Sequence, residues 1–243
     1  MATYRDEGIV LRTMRLGEAD RIVTILTAEH GKVRAVAKGV RRTKSRMGGR
    51  VEPLSHVAML CWRGRELDVI NQAESLDTFR AIREDMTRLA PATIILEIAD
   101  QIAEQHAPAS ELFAMVLGAL RSLESSASPL LLGAFCLKLL AAEGVGPIVE
   151  ECARCRSPGP LVAFELSEGG LLCAKCRRGQ AVSPEFVAMA RRILGGGLAT
   201  ALRETPDGVA YEVERVGLSA VEQHLDRRLR STRQLVESER IPS

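Results

Sequence analysis

Two short cysteine pairs constrain this chain more than any other feature. Cys152 and Cys155 form one C-x-x-C, Cys173 and Cys176 form a second, and seventeen residues separate them. A C-x-x-C turn lets two thiolates converge on one ion, and two such turns supply the four soft ligands that tetrahedral Zn²⁺ prefers. The spacing predicts one structural zinc held by Cys152, Cys155, Cys173 and Cys176. "LVAFEL" and "GGLLC" between the pairs then read as the short strands of a zinc ribbon. A redox C-x-x-C occurs once and opens a helix. A zinc deaminase needs H-x-E, and none of His30, His56, His106 or His224 has Glu two residues on. Arg154, Arg156, Lys175, Arg177 and Arg178 surround the cysteines. They can offset the −2 of a zinc–thiolate centre or touch phosphate. Cys61 and Cys136 lie in apolar runs and read as buried thiols.

Before the cysteines the hydrophobic period changes once. "GIVLRTM", "RIVTILTA", "KVRAVAKG", "HVAMLCWRG" and "ELDVINQAE" are five short β-type runs within the first 75 residues, with a turn at "EHGK" that gives Gly31 positive φ. They suit a small closed barrel of the OB type, with an SH3-like barrel as the alternative. From Leu76 the period is helical. Ile94, Ile95, Ile98 and Ile102 share a stripe, Ser110 is a candidate N-cap, and Ser128-Pro129 and Ser183-Pro184 look like two further helix starts. "PLLLGAFCLKLLAA" is apolar nearly all round and predicts a buried central helix that stops at Gly144. Leu218, Val221, Leu225 and Leu229 predict a last helix whose other face carries Arg227, Arg228, Arg230 and Arg233.

The expected fold class is α+β: a five-stranded OB-like barrel (1–75), a helical bundle (76–150), an inserted four-cysteine zinc ribbon (151–180), and C-terminal helices (181–243) packing on the helical domain. The N-terminus has no apolar signal core, and no apolar run is long enough to span a membrane, so a cytoplasmic protein is expected.

Charge is uneven. The net charge is only +2. Residues 1–50 hold twelve Lys and Arg against five Asp and Glu, so +7, which leaves −5 for the rest. Six of those cations, Lys38, Arg41, Arg42, Lys44, Arg46 and Arg50, fall in "AKGVRRTKSRMGGR", which holds no acid. The stretch reads as a flexible basic loop, either a solvated face or a contact for a polyanion such as nucleic acid. Aromatic residues make up only 3% of the chain, and the barrel offers just Tyr4 and Trp62. Trp62 is the one side chain near the barrel that could stack on a base, although a strand tryptophan is more often core. OB folds that hold single strands by stacking need several aromatics, so binding here is expected to be mainly electrostatic and salt-dependent. No phosphate loop, nucleophile elbow or H-E-x-x-H motif is present, so nothing compels an enzyme.

"GEADRIVTILTAEHGK", "AKGVRRTKSR" and the cysteine pairs set after "LLAAEGVGP" together resemble the RecO family of bacterial DNA repair and recombination proteins, over essentially the whole chain. The resemblance implies a non-enzymatic mediator near the nucleoid. Such a protein binds single- and double-stranded DNA and anneals complementary strands. With RecR it helps RecA replace single-stranded-DNA-binding protein (SSB). In that case Arg34, Lys38, Arg41, Arg42, Lys44 and Arg46 would neutralise backbone phosphates. The rival is an interaction adaptor whose barrel and ribbon mainly dock proteins. A zinc-dependent nucleic-acid enzyme is a third reading, with no acid–base cluster to support it.

Overall fold

The computed structural model describes residues 2–43, 45–204 and 206–232. Contacts divide the chain into two compact units, Met1–Ser126 with the segment from Leu229, and Ala127–Arg228. The segment 76–150 is therefore divided between them, and the described residues from Leu229 to Thr232 belong to the first unit.

The first unit opens with β1 (Thr3–Leu16), β2 (Asp20–Thr27), β3 (Gly31–Ala37), β4 (His56–Trp62) and β5 (Asp68–Asp77). They close a barrel in the order β1-β2-β3-β5-β4. Closure depends on β1 being long. Its residues from Gly8 to Leu16 pair with β2, while Thr3–Ile9 pair with β4. A register slip between Val10 and Arg12 lets the strand bend between the two partners. Gly31 takes φ +64 at the β2–β3 turn, where the Thr27 hydroxyl donates to its carbonyl at 3.0 Å. The β3–β5 pairing is the parallel one. Alternation fills the interior with Val23, Ile25, Val33, Ala35, Ala37, Val57, Met59, Cys61 and Ile70.

Helices α1 (Arg80–Glu84), α2 (Met86–Ile102) and α3 (Ser110–Ser125) follow, and α2 and α3 pack on β1 and β2. The expected stripe on α2 is buried at Ile94, Ile95 and Ile98. Asp85 caps this helix by accepting from Thr87 N–H. Ser110 does not cap α3: it is the first helical residue, and Ala109 precedes it without a side-chain cap. The returning segment is held by Glu97 of α2, whose carboxylate accepts from the backbone N–H groups of Arg230 (2.8 Å) and Ser231 (2.7 Å) and from the Ser231 hydroxyl (2.5 Å). Burial opposes ionisation of Glu97, but these donors outweigh it and hold its pKa below the usual carboxylate value.

The second unit is built around α4 (Leu131–Ala142), in which every residue from Leu131 to Leu137 is buried. Ser128 does not cap it. The helix begins two residues after Pro129, and the Ser128 hydroxyl donates to Leu202 carbonyl at 2.7 Å. Strands β6 (Leu161–Glu165), β7 (Gly170–Cys173) and β8 (Gln180–Ala181) form a sheet in the order β7-β6-β8. Helices α5 (Pro184–Leu194), α6 (Leu198–Glu204) and α7 (Asp207–His224) complete it. Ser183 caps α5, accepting from Phe186 N–H, with Pro184 in the first turn as expected. At the α4–α7 crossing a Cβ on Gly133 would lie 2.5 Å from Glu214 N, so only glycine allows this approach.

The last helix departs from the sequence reading. It starts at Asp207 and ends at His224, with Asp226 at φ +50 just beyond it. Leu225 and Leu229 therefore do not continue the stripe, and Arg227, Arg228 and Arg230 form no helical face with it. Arg228 pairs with Glu222 at 2.6 Å. Arg233 lies outside the described residues. No described helix is long and apolar enough to cross a membrane.

Candidate nucleic-acid interface and metal centre

The basic stretch leaves the barrel at Ala37 and is pinned at both ends. Val40 and Val51 drop into the barrel core. Gly39 N–H donates to Asp20 at 2.7 Å, and Arg41 N–H donates to Ala19 carbonyl at 2.9 Å. A 3-10 turn, Gly48–Val51, leads back into the barrel, and Arg50 donates to Ala73 carbonyl at 2.8 Å. A stretch that reads as a flexible loop is thus a surface segment clamped over the β1–β2 turn.

Its cations differ in availability. Arg41 spends one guanidinium nitrogen on the carbonyls of Glu18 (2.9 Å) and Gly17 (3.2 Å). Lys38, Arg42 and Arg46 are exposed, and their charged groups have no partner among the described residues. Lys44 lies outside the described residues. Arg34 sits on β3 rather than in the loop and is half-buried. Its Nε is enclosed and has no partner among the described residues, and the same holds for the hydroxyl of Thr24 opposite it. Nearby Arg12 and Arg21 are committed to Asp100 and Glu52.

Trp62 overturns its expectation. It stands 43% exposed at the end of β4, while Cys61 beside it is fully buried. Tyr4 is the tethered aromatic of the barrel. Its hydroxyl donates to buried Asp68 at 2.5 Å, and burial with that carboxylate raises its pKa. Asp68 in turn accepts from Gly64 N–H at 2.9 Å and fixes the β4–β5 hairpin. Burial pushes the Cys61 thiol up to about 12 and raises that of Cys136 as well, so both are inert core groups.

In the second unit the cysteines converge. The sulfurs of Cys152, Cys155, Cys173 and Cys176 all lie within 4.8 Å of one another. The first turn is fastened to the sheet by Ala153 N–H on Leu171 carbonyl at 2.8 Å, and Cys173 ends β7. Burial opposes ionisation of Cys152, but backbone N–H groups of Cys173, Cys155 and Arg154 outweigh it and bring its pKa down to about 6. Donors aimed at sulfur favour thiolate, the form that binds metal. The cluster can hold a metal ion. Of the surrounding cations, Arg156 pairs with Glu151 and Arg178 with Glu168, while Arg154, Lys175 and Arg177 are exposed.

Family comparison joins the two units. A model described as the N-terminal domain of recombination protein O matches residues 1–79, and one for its C-terminal domain matches residues 83–233. The chain belongs to the recombination protein O family. Its role lies in DNA recombination and repair, and the barrel with a helical domain and four-cysteine cluster is how this member of the family is built.

Proposed function

We propose that this member of the recombination protein O family is a non-enzymatic mediator that binds single- and double-stranded DNA and anneals complementary strands. With RecR it would assist RecA loading on DNA coated by SSB, in the cytoplasm at the nucleoid. The observation that carries the reading is the clamped basic segment. It holds Lys38, Arg42 and Arg46 outward and without a partner among the described residues, on a barrel whose core does not depend on them.

The chemistry is charge neutralisation. Two strands repel through their phosphates, and cations on a fixed surface lower that repulsion without occupying base edges. Lys38, Arg42 and Arg46 are the principal phosphate contacts. Arg41 contributes its remaining guanidinium nitrogens while anchoring the segment, and Lys44 adds its charge to the same stretch of sequence. Arg34, half-buried, adds positive potential behind the loop. One Zn²⁺ held by Cys152, Cys155, Cys173 and Cys176 crosslinks the ribbon and takes no part in a reaction.

Mixing labelled complementary oligonucleotides with the purified protein, with and without SSB, tests the reading. Annealing should accelerate without ATP and without sequence preference. It should collapse as rising salt shortens the Debye length to about 8 Å. Absence of both binding and annealing at low salt would refute it.

A further inference from the structure

Strand register lines up one ring of side chains around the barrel. Thr3 pairs with Trp62, Trp62 with Val69, Val69 with Val36, Val36 with Ile22, and Ile22 with Met14. The residues beside them in sequence, Cys61, Ile70, Ala35, Ala37 and Val23, fill the barrel core. Alternation therefore turns the ring outward. Ile22 is buried, Val36 and Val69 are half-buried, and Met14 and Trp62 remain 49% and 43% exposed. All five phenylalanines are buried, and the Tyr4 hydroxyl is tied to Asp68. Trp62 is the open aromatic of the barrel.

Cations flank it on both sides. Arg63 and Arg65 follow it in the exposed β4–β5 hairpin, and the Arg63 guanidinium lies 5.2 Å from the Tyr4 ring centroid. Across β5, Arg34 and Lys38 stand two residues to either side of Val36. An apolar, aromatic surface bordered by cations matches the two faces of a nucleotide, a flat π-system and a charged phosphate.

We propose that Trp62 is a base-stacking platform for single-stranded DNA, with Val36 and Val69 as its apolar floor and Lys38, Arg63 and Arg65 meeting the adjoining phosphates. The proposal rests on the reading that the barrel binds DNA. It adds to the electrostatic account a term that a duplex, whose base faces are hidden, cannot use. A single platform also leaves neighbouring bases free to pair, as annealing needs.

The chain contains one tryptophan, so its indole emission reports this residue alone. The intact protein is titrated with oligothymidylate and with an abasic oligonucleotide of equal length, while anisotropy of a labelled strand follows binding independently. Oligothymidylate should quench the emission, and the abasic strand should bind without quenching. Trp62→Ala should weaken oligothymidylate binding about tenfold and change abasic binding by less than about twofold, and Trp62→Phe should restore most of the loss. Circular dichroism checks folding. If the alanine variant unfolds, Trp62→Leu keeps the bulk without the π-face, with the same expectation. Equal quenching by both strands, or unchanged affinity in a folded variant lacking the ring, overturns the stacking proposal and leaves DNA binding standing. Failure of both strands to bind overturns stacking and DNA binding together.

Discussion

The barrel and the ribbon both carry exposed cations at turns, but they differ in what supports those turns. The basic segment of the barrel is hung from a closed sheet, and it adds Val40 and Val51 to the core while its cations stay outside it. Its clamps, Gly39 to Asp20 and Arg41 to the β1–β2 turn, only aim the outward side chains. The ribbon has three strands, the last of two residues, and its two cysteine turns bring four sulfurs within 4.8 Å of one another. In the barrel the candidate site decorates a fold. In the ribbon the four-cysteine cluster is part of the fold. Substitutions should therefore separate binding from stability in the first unit and couple them in the second.

The largest expected effect breaks that coupling at its centre. Cys173→Ser should lose stoichiometric zinc and destabilise the second unit on the order of several kcal/mol. Metal analysis and a thermal melt check this. A variant with full zinc and an unchanged melt would show that the ribbon does not depend on four thiolates. Chelation of the native protein should likewise expose the 150–180 segment to proteolysis while leaving the barrel protected.

A smaller effect is expected from His56 in the first unit. It is 3% exposed, its Nε2 lies 4.0 Å from the Glu7 carboxylate with no hydrogen-bond partner among the described residues, and it packs 5.9 Å from the Phe113 ring with Asp77 and Arg121 nearby. Burial lowers its pKa below the unfolded value, so the folded state resists protonation. Stability should be full above about pH 6.5 and fall as the pH drops below it, by at most about 1.4 kcal/mol per pH unit. His56→Gln should flatten that slope in urea melts between pH 7 and 5. An equal slope in the variant would assign the acid sensitivity elsewhere.

The smallest expected effect concerns the ribbon's free cations. Arg154, Lys175 and Arg177 replaced by Gln should leave zinc content unchanged and move stability by under about 1 kcal/mol, because exposed charges contribute little. A large loss of metal would show that these cations are needed to offset the thiolate charge.

The sequence made some of this architecture legible and hid the rest for physical reasons. The barrel strands showed because half-buried strands alternate, and the cysteine spacing showed because metal geometry restricts it. Helix α7 was read from the wrong end because two positions of its buried face, Ala210 and Gly217, are small and thin out the stripe that Val213, Val216 and Val221 carry. Ser128 and Ser110 look like caps, but a hydroxyl caps only where the backbone turns at that residue, and the two helices begin at Leu131 and at Ser110 itself. Strand β8 is too short to have a period. Trp62 had a signal that was missed. Val57, Met59 and Cys61 alternate into the core, which places Trp62 on the opposite face. Which cations of the basic stretch are free could not be read from sequence, since Arg41 and Arg42 look identical until the carbonyls of Gly17 and Glu18 are in place.

The salt dependence of single-strand binding tests the central claim most directly. Lys38, Arg42 and Arg46 are replaced together by Ala, and log K is measured against log salt for the variant and the native protein. Loss of three single-strand phosphate contacts should flatten the slope by roughly 2, weaken every sequence alike and leave the melting temperature nearly unchanged. An unchanged slope with unchanged affinity would remove the basic segment from the DNA interface.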